Sequence, residues 1–107
     1  MKGELLKGHL DFLILAAVET APAHGYVIIE HLSRQSRGAF TLPEGTVYPA
    51  LHRLEEAGLL TSRWSMHSGR RRRIYRISRR GKKALAEHRH EWAGFSRAVG
   101  LILGGSA

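Results

Sequence analysis

Apolar and polar positions along this chain follow a helical period three times, then a two-residue period, then a helical period once more. Leu6, Leu10, Leu13, Ile14 and Ala17 keep the three-four spacing of one helical face, which predicts a first helix over residues 5–20. Phe12 and Leu15 add a second apolar side, so this helix is expected to meet its own domain on one side and a partner on the other. Ala21-Pro22-Ala23 interrupts the pattern, because proline disfavours helix in the residue before it. A second helix is predicted from about His24 to Ser36, with Tyr26, Ile29 and Leu32 at i, i+3, i+6 and Ile28 alongside. Arg37-Gly38 ends it.

After a short extended piece around Phe40-Thr41-Leu42, Val47, Leu51 and Leu54 form the buried stripe of a third helix that runs to Gly58. Pro49 lacks an N–H, so the regular turns should begin about three residues before it, near Gly45 or Thr46. Leu59 to Met66 alternates loosely, with Leu60, Trp64 and Met66 on one face of a strand. His67-Ser68-Gly69 signals a turn, and Arg73 to Ile77 reads as a second strand with Tyr75 and Ile77 inward. Together they predict a two-stranded hairpin with an arginine-loaded tip.

Ser78 suits the N-cap of a final helix to about Leu103. Along it Leu85, His88, Trp92, Phe95, Val99 and Ile102 recur at 3-4-3-4-3 spacing, a heptad-like seam. Gly94 and Gly100 weaken the helix by about 1 kcal/mol each relative to alanine, so its end is expected to fray. The predicted fold is therefore mostly α with a small β-hairpin (α+β): a winged helix-turn-helix over residues 1–77, a dimerisation helix over 78–103 and a disordered tail over 104–107. The first helix should share the dimer interface.

A length of 107 residues with 43% hydrophobic content accommodates one domain with a modest core. The formal net charge of +8 points to a polyanionic partner, nucleic acid or an acidic membrane surface, without choosing between them. With no cysteine, disulfides, thiolate zinc sites and cysteine nucleophiles are excluded, and a reducing cytoplasm is compatible. Lys2 and Lys7 ahead of the apolar run Phe12 to Val18 mimic a secretory signal, but Asp11 and Glu19 confine that run to seven residues. It reads as a buried helix.

With the stripe of the third helix inward, Thr46, Tyr48, Pro49, His52 and Arg53 fall on its flanks and outer side. Thr46, Tyr48 and His52 offer hydrogen-bonding groups, and Arg53 suits a phosphate or the acceptor edge of guanine. Arg70, Arg71, Arg72 and Arg73 are the candidate wing, each phosphate contact adding about 0.9 to the salt slope of binding. A plain solvated face is the competing reading of both sets. His88 and His90 sit two apart and point to different sides of a helix, so no metal site is expected. No nucleophile–base pair, phosphate loop or paired-carboxylate cleft stands out, so neither an enzyme nor a cofactor is expected.

Several segments resemble one family. Leu6-Lys7-Gly8-His9-Leu10-Asp11 with the following apolar run is similar to the opening of the phenolic acid decarboxylase repressor (PadR) family, and Ala23-His24-Gly25-Tyr26 to the start of its second helix. Glu44-Gly45-Thr46-Val47-Tyr48-Pro49-Ala50-Leu51-His52-Arg53-Leu54, followed by Gly58-Leu59-Leu60, closely resembles its recognition-helix motif. Arg72 to Ser78, with Gly81 following, matches its strand-to-helix segment. The resemblance implies a cytoplasmic regulator, usually a repressor, that binds inverted repeats often of ATGT…ACAT type as a homodimer through its first and last helices. It implies Thr46, Tyr48, Pro49, His52 and Arg53 as recognition residues and Arg70 to Arg73 as the wing. A single C-terminal helix is similar to the short subfamily, without the larger effector domain of longer members.

Leu6, Leu10, Leu85, Trp92, Phe95, Val99 and Ile102 are the expected dimer interface, since the aromatic and aliphatic seam is costly to leave in water. Some short relatives open a pore between subunits where aromatic side chains accept flat ligands. By that resemblance Trp92 and Phe95 are candidates for a small aromatic or apolar effector, the alternative being that Trp92 only packs across the interface. Two rival functions remain at this stage. A non-specific nucleic-acid-binding protein would share the charge, and a protein-interaction module would have lost the basic wing.

Overall fold

The computed structural model describes residues 6 and 8–104, with the side chain of residue 67 left aside. The elements are α1 (Leu10–Ala17), β1 (Ala23–His24), α2 (Gly25–Gln35), α3 (Glu44–Glu56), β2 (Leu60–His67), β3 (Arg70–Ile77) and α4 (Arg79–Leu103). Helix α1 ends at Ala17, short of the predicted residue 20. Gly8 takes φ +89°, outside helical space, and so separates this helix, which starts at Leu10, from helical Leu6; the rest of the predicted first turn lies outside the described residues. Its apolar residues nevertheless reach the core, where Ile14 and Leu15 are fully buried.

Helix α2 ends as its sequence suggests. The Gly38 N–H donates to the Ser33 carbonyl at 2.7 Å and the Arg37 N–H to Arg34 at 3.1 Å, a Schellman closure. No strand forms around Phe40-Thr41-Leu42. The extra strand is instead Ala23–His24, which pairs antiparallel with β3 and makes a three-stranded sheet of order β1-β3-β2. The helix has already ended ahead of Pro22, and the residues after the proline find a ladder.

Helix α3 begins at Glu44, capped by extended Pro43, about a residue or two earlier than Pro49 suggested. Pro49 is tolerated because it and Gly45, whose carbonyl it leaves without a helical donor, both lie on the exposed side. Val47, Ala50, Leu51 and Leu54 face inward. Gly58, at φ +78°, lets the Leu59 N–H return to the Leu54 carbonyl at 2.9 Å and closes the helix.

The hairpin turn is only Ser68-Gly69, both with positive φ, the two-residue geometry that matches strand twist. Register then follows: His67 pairs with Arg70, Met66 with Arg71, Trp64 with Arg73, Ser62 with Tyr75 and Leu60 with Ile77. The arginines are therefore not a tip of four cations. They lie in β3, and strand alternation sends Arg71 and Arg73 to one face and Arg70 and Arg72 to the other. Leu60, Trp64 and Met66 share a face as predicted, but only Leu60 is buried, because the outer half of the hairpin extends past the helices.

Ser78 caps α4, its Oγ accepting from the Gly81 N–H at 3.0 Å. The helix runs unbroken through Gly94 and Gly100 to a left-handed cap at Gly104; the rest of the expected tail lies outside the described residues. Gly81 and Leu85 are buried in the same core as α1, α3 and the sheet, so the first two turns of α4 belong to the body of the domain. Leu85 is 2% exposed within its own chain and leaves almost nothing for a second subunit to cover. Beyond it Trp92, Phe95, Leu101, Ile102 and Leu103 are exposed and Val99 half-covered.

A methyl group at residue 81 would meet the Leu59 carbonyl and come within 2.8 Å of Ile77 Cγ1. Gly81→Ala is expected to lower stability by about 1–3 kcal/mol through overpacking. Helix propensity alone would favour alanine by about 1 kcal/mol. Urea titration separates the two: a midpoint that stays or rises contradicts the packing.

Candidate nucleic-acid interface

Ten of the seventeen Lys and Arg, and none of the nine Asp and Glu, fall between Ala57 and Ala86. That segment is the hairpin and the start of α4, so the positive excess belongs to one region and the rest of the chain is slightly acidic. Between α3 and the hairpin lies an open groove of about 770 Å³ that brings together Tyr48 and His52 of α3, Trp64 of β2 and Arg70 to Arg73 of β3. His24 and Tyr26 at the start of α2 line its other end, as does Glu44.

Each predicted recognition residue has its own setting. Pro49 and His52 are exposed, and Thr46 is half-buried. Tyr48 leans over the start of α2, and a side-chain carbon on Gly25 would come within 2.6 Å of its ring and hydroxyl. Glycine at this position is what lets Tyr48 lie there. Arg53 turns away from the groove: its Nη2 donates to Asp11 Oδ1 of α1 at 2.9 Å, although the side chain keeps 58% of its surface. An exposed pair of this kind is worth little, so Arg53 is held lightly.

The arginines also differ. Arg71 sits over the Trp64 ring at 4.5 Å and Arg73 at 5.2 Å, both cation–π contacts at the groove wall. Arg73 further donates from Nε to Ser62 Oγ at 2.7 Å and pairs with Glu55 at 3.5 Å. Arg72 is 2.7 Å from His24 Nε2 on the opposite sheet face. Arg70 is exposed. His24, Tyr26 and Trp64 were not marked as groove residues by sequence. Trp64 has the periodicity of a core residue, and only the length of the hairpin relative to the helices takes it outside.

A second surface lies between α1 and α4, an apolar groove of about 510 Å³ lined by Leu6, Phe12, Leu13, Leu85, His88 and Trp92, among others. Phe12 stacks on His88 at 3.8 Å, and His9 meets Trp92 edge-on at 5.1 Å. Trp92 and Phe95 lie 6.1 Å apart, Phe95 being the more exposed. Leu10 is partly buried against its own core. Arg89 closes one side by a two-point pair with Glu19 at 2.9 and 2.8 Å, and those hydrogen bonds hold the Glu19 carboxyl below its usual range. Among the described residues no cluster of three or more His, Asp or Glu could hold a metal ion. No helix among them is long and apolar enough to cross a membrane.

Comparison with known proteins places these features in a family. The transcriptional regulator PadR-like family model matches residues 14–87. A transcriptional regulator from Mycobacterium tuberculosis is 40% identical over 84 residues, covering 78% of this chain and 73% of that protein. The crystal structure of a PadR family transcription regulator from Clostridium difficile matches with a TM-score of 0.80 at 34% identity, covering 90% of this chain and 99% of that one. A PadR-like transcriptional regulator from Bacillus cereus gives 0.83 at 28% identity, covering 96% and 99%.

Tyr75 floors the groove. Burial pushes its phenol above the ordinary value of 10.0, Glu55 adds to the effect and Arg73 opposes it. A folded-state pKa raised in this way means that the unfolded chain loses the proton first. Stability is thus fully present below pH 10 and declines as pH rises above it. Tyr75→Phe should flatten that decline in urea titrations at alkaline pH. An equally steep decline in the variant would remove Tyr75 as its source.

Proposed function

The chain belongs to the PadR-like family of transcriptional regulators, and on that premise we propose that it is a sequence-specific repressor that binds an inverted-repeat operator as a homodimer. The observation that carries this reading is the groove where the outer side of α3 meets the arginine-bearing hairpin, in the one region that holds the chain's positive excess. Helix α3 enters the major groove, with Thr46, Tyr48, Pro49 and His52 toward base edges and Arg53 at the flank, free to exchange Asp11 for a phosphate. The hairpin follows the adjacent backbone, where Arg70 and Arg71 carry most of the phosphate contact and Arg72 and Arg73 are already partly engaged.

A second copy of the chain covers the outer half of α4. Trp92, Phe95, Val99 and Ile102 on that seam, with Leu6 and Leu10 beside α1, would join the subunits and set two α3 helices about 34 Å apart, one turn of duplex. Leu85 supports this interface from below, through the core. Occupancy of the operator then excludes polymerase, and the protein works in the cytoplasm where its DNA is. A small flat aromatic or apolar effector would enter the apolar groove beside Trp92, with Phe95 outside its lining and next along the seam, where it would alter how the two subunits sit and so release DNA.

Selection of bound sequences from a random duplex pool tests the reading directly: an enriched inverted repeat supports it, and a pool that stays random favours non-specific binding. His52→Ala should reduce discrimination between the enriched and a scrambled duplex by about 1–3 kcal/mol, the size of one base contact. Arg70→Gln with Arg71→Gln should weaken both duplexes and lower the salt slope by about 1.8 per protomer. Equal binding by that double variant at every salt concentration would remove the hairpin from the interface. Phe95→Glu with Ile102→Glu should yield monomers in sedimentation. If those monomers still bind the repeat with wild-type affinity, the dimer is not what binds.

A further inference from the structure

Arg73 is the most constrained of the four wing arginines. Its Nε donates to Ser62 Oγ, its Nη2 lies 3.5 Å from Glu55 Oε2, and the Ser62 hydroxyl donates to that same carboxylate oxygen at 2.5 Å. Trp64 lies against the guanidinium on another side. Three elements meet here. Glu55 stands in the last turn of α3, Ser62 on β2 and Arg73 on β3. The ion-pairing side chains keep 36% and 28% of their surface, more sheltered than the Arg53–Asp11 or Arg89–Glu19 pairs.

We infer that Glu55, Ser62 and Arg73 form a positioning cluster that fixes the angle of the hairpin against α3, and thereby the spacing between the contacts these two elements make on DNA. The inference rests on the DNA interface described above. From Leu60 to the turn the hairpin reaches about 24 Å at 3.4 Å per residue. A tilt of about 10° at its base would carry the turn about 4 Å, more than the 3.4 Å between successive phosphates along one strand's axis. The outer half has little apolar packing to resist such a tilt, since Trp64 and Met66 are exposed. Polar ties must resist it. Arg72 with His24 ties β3 to the start of α2, and the cluster ties both long strands to α3 itself. Arg73 thus serves chiefly as a brace, and the free cations beside it meet the polyanion.

Charge makes the test sharp. Removing the Glu55 carboxylate takes a negative charge away from the basic face, so a purely electrostatic role predicts tighter binding to every duplex. The positioning role predicts the opposite for the chosen sequence. In the full chain without DNA, Glu55→Ala and the charge-preserving Arg73→Lys should each speed amide hydrogen exchange across β2 and β3 while leaving α1 and α2 unchanged. With DNA, each should cut discrimination between a duplex enriched by the wild-type protein and a scrambled duplex of equal length by about tenfold, the scale of one lost base contact. The double variant should be no worse than either single one, because both break one cluster. Should Glu55→Ala fail to fold, Arg73→Lys carries the test alone. Unchanged exchange in β2 and β3 would overturn the inference whether or not the wild type binds DNA, and where it binds, additive losses of discrimination in the double variant would overturn it as well. A wild type that ignores duplex DNA while the variants still loosen the hairpin would instead sink the DNA-binding reading and leave the brace standing.

Discussion

The whole side that carries α3 and the hairpin depends on one backbone crossing, where the first turn of α4 passes over the segment leaving α3. Gly58 and Leu59 present their carbonyls to residue 78: the Ser78 N–H donates to Leu59 at 3.1 Å and its Oγ to Gly58 at 2.7 Å. The same hydroxyl accepts the Gly81 N–H, so one serine satisfies the end of one helix and the start of the next. The chains can come this close only because residue 81 carries no side chain. From this crossing α3, both long strands and α4 diverge. It joins their inner ends, and the tilt of the hairpin's outer half is left to the ties farther out.

The sequence revealed the elements better than their partners. Helical periods located α2, α3 and α4 closely, and Ser78 and Gly58 marked real ends because capping is local chemistry. Gly8 was within the first predicted helix, and its left-handed backbone was invisible to an apolar period that continues across it. Ala23–His24 carries no strand signal of its own; it is a strand only because β3 lies alongside. The arginine run read as the hairpin's tip because it follows Ser68-Gly69, yet the turn is only those two residues, and Arg70 to Arg72 join Arg73 in the ladder. Leu85 and Trp92 share one seam by spacing, and spacing cannot say that the first is buried in the core and the second stays half in the open. Arg53 showed the same limit. Its face was legible and its partner Asp11, 42 residues away, was not.

The two candidate surfaces are built from opposite materials and joined by one rigid rod. Helix α4 is about 37 Å long at 1.5 Å per residue. Its first turns are buried with the core beneath α3 and the sheet, whereas its outer turns hold the apolar seam. A change in how that seam is covered therefore acts on the domain through a helix whose base is packed in the core rather than through a flexible link. The aromatic contacts of Phe12, His88, His9 and Trp92 tie α1 to this rod midway, so α1 would move with it.

The Ser68-Gly69 turn has no slack, and this bears on how such a wing can diversify. In a ladder of period two, a one-residue slip of β3 against β2 would exchange the faces of every side chain on one strand. Arg71 and Arg73 would leave the Trp64 side, and Arg70 and Arg72 would replace them. The inward Tyr75 and Ile77 resist such a slip, so this hairpin is open to change by replacing side chains or by a longer loop that holds the extra residue, with the arginines' faces unchanged.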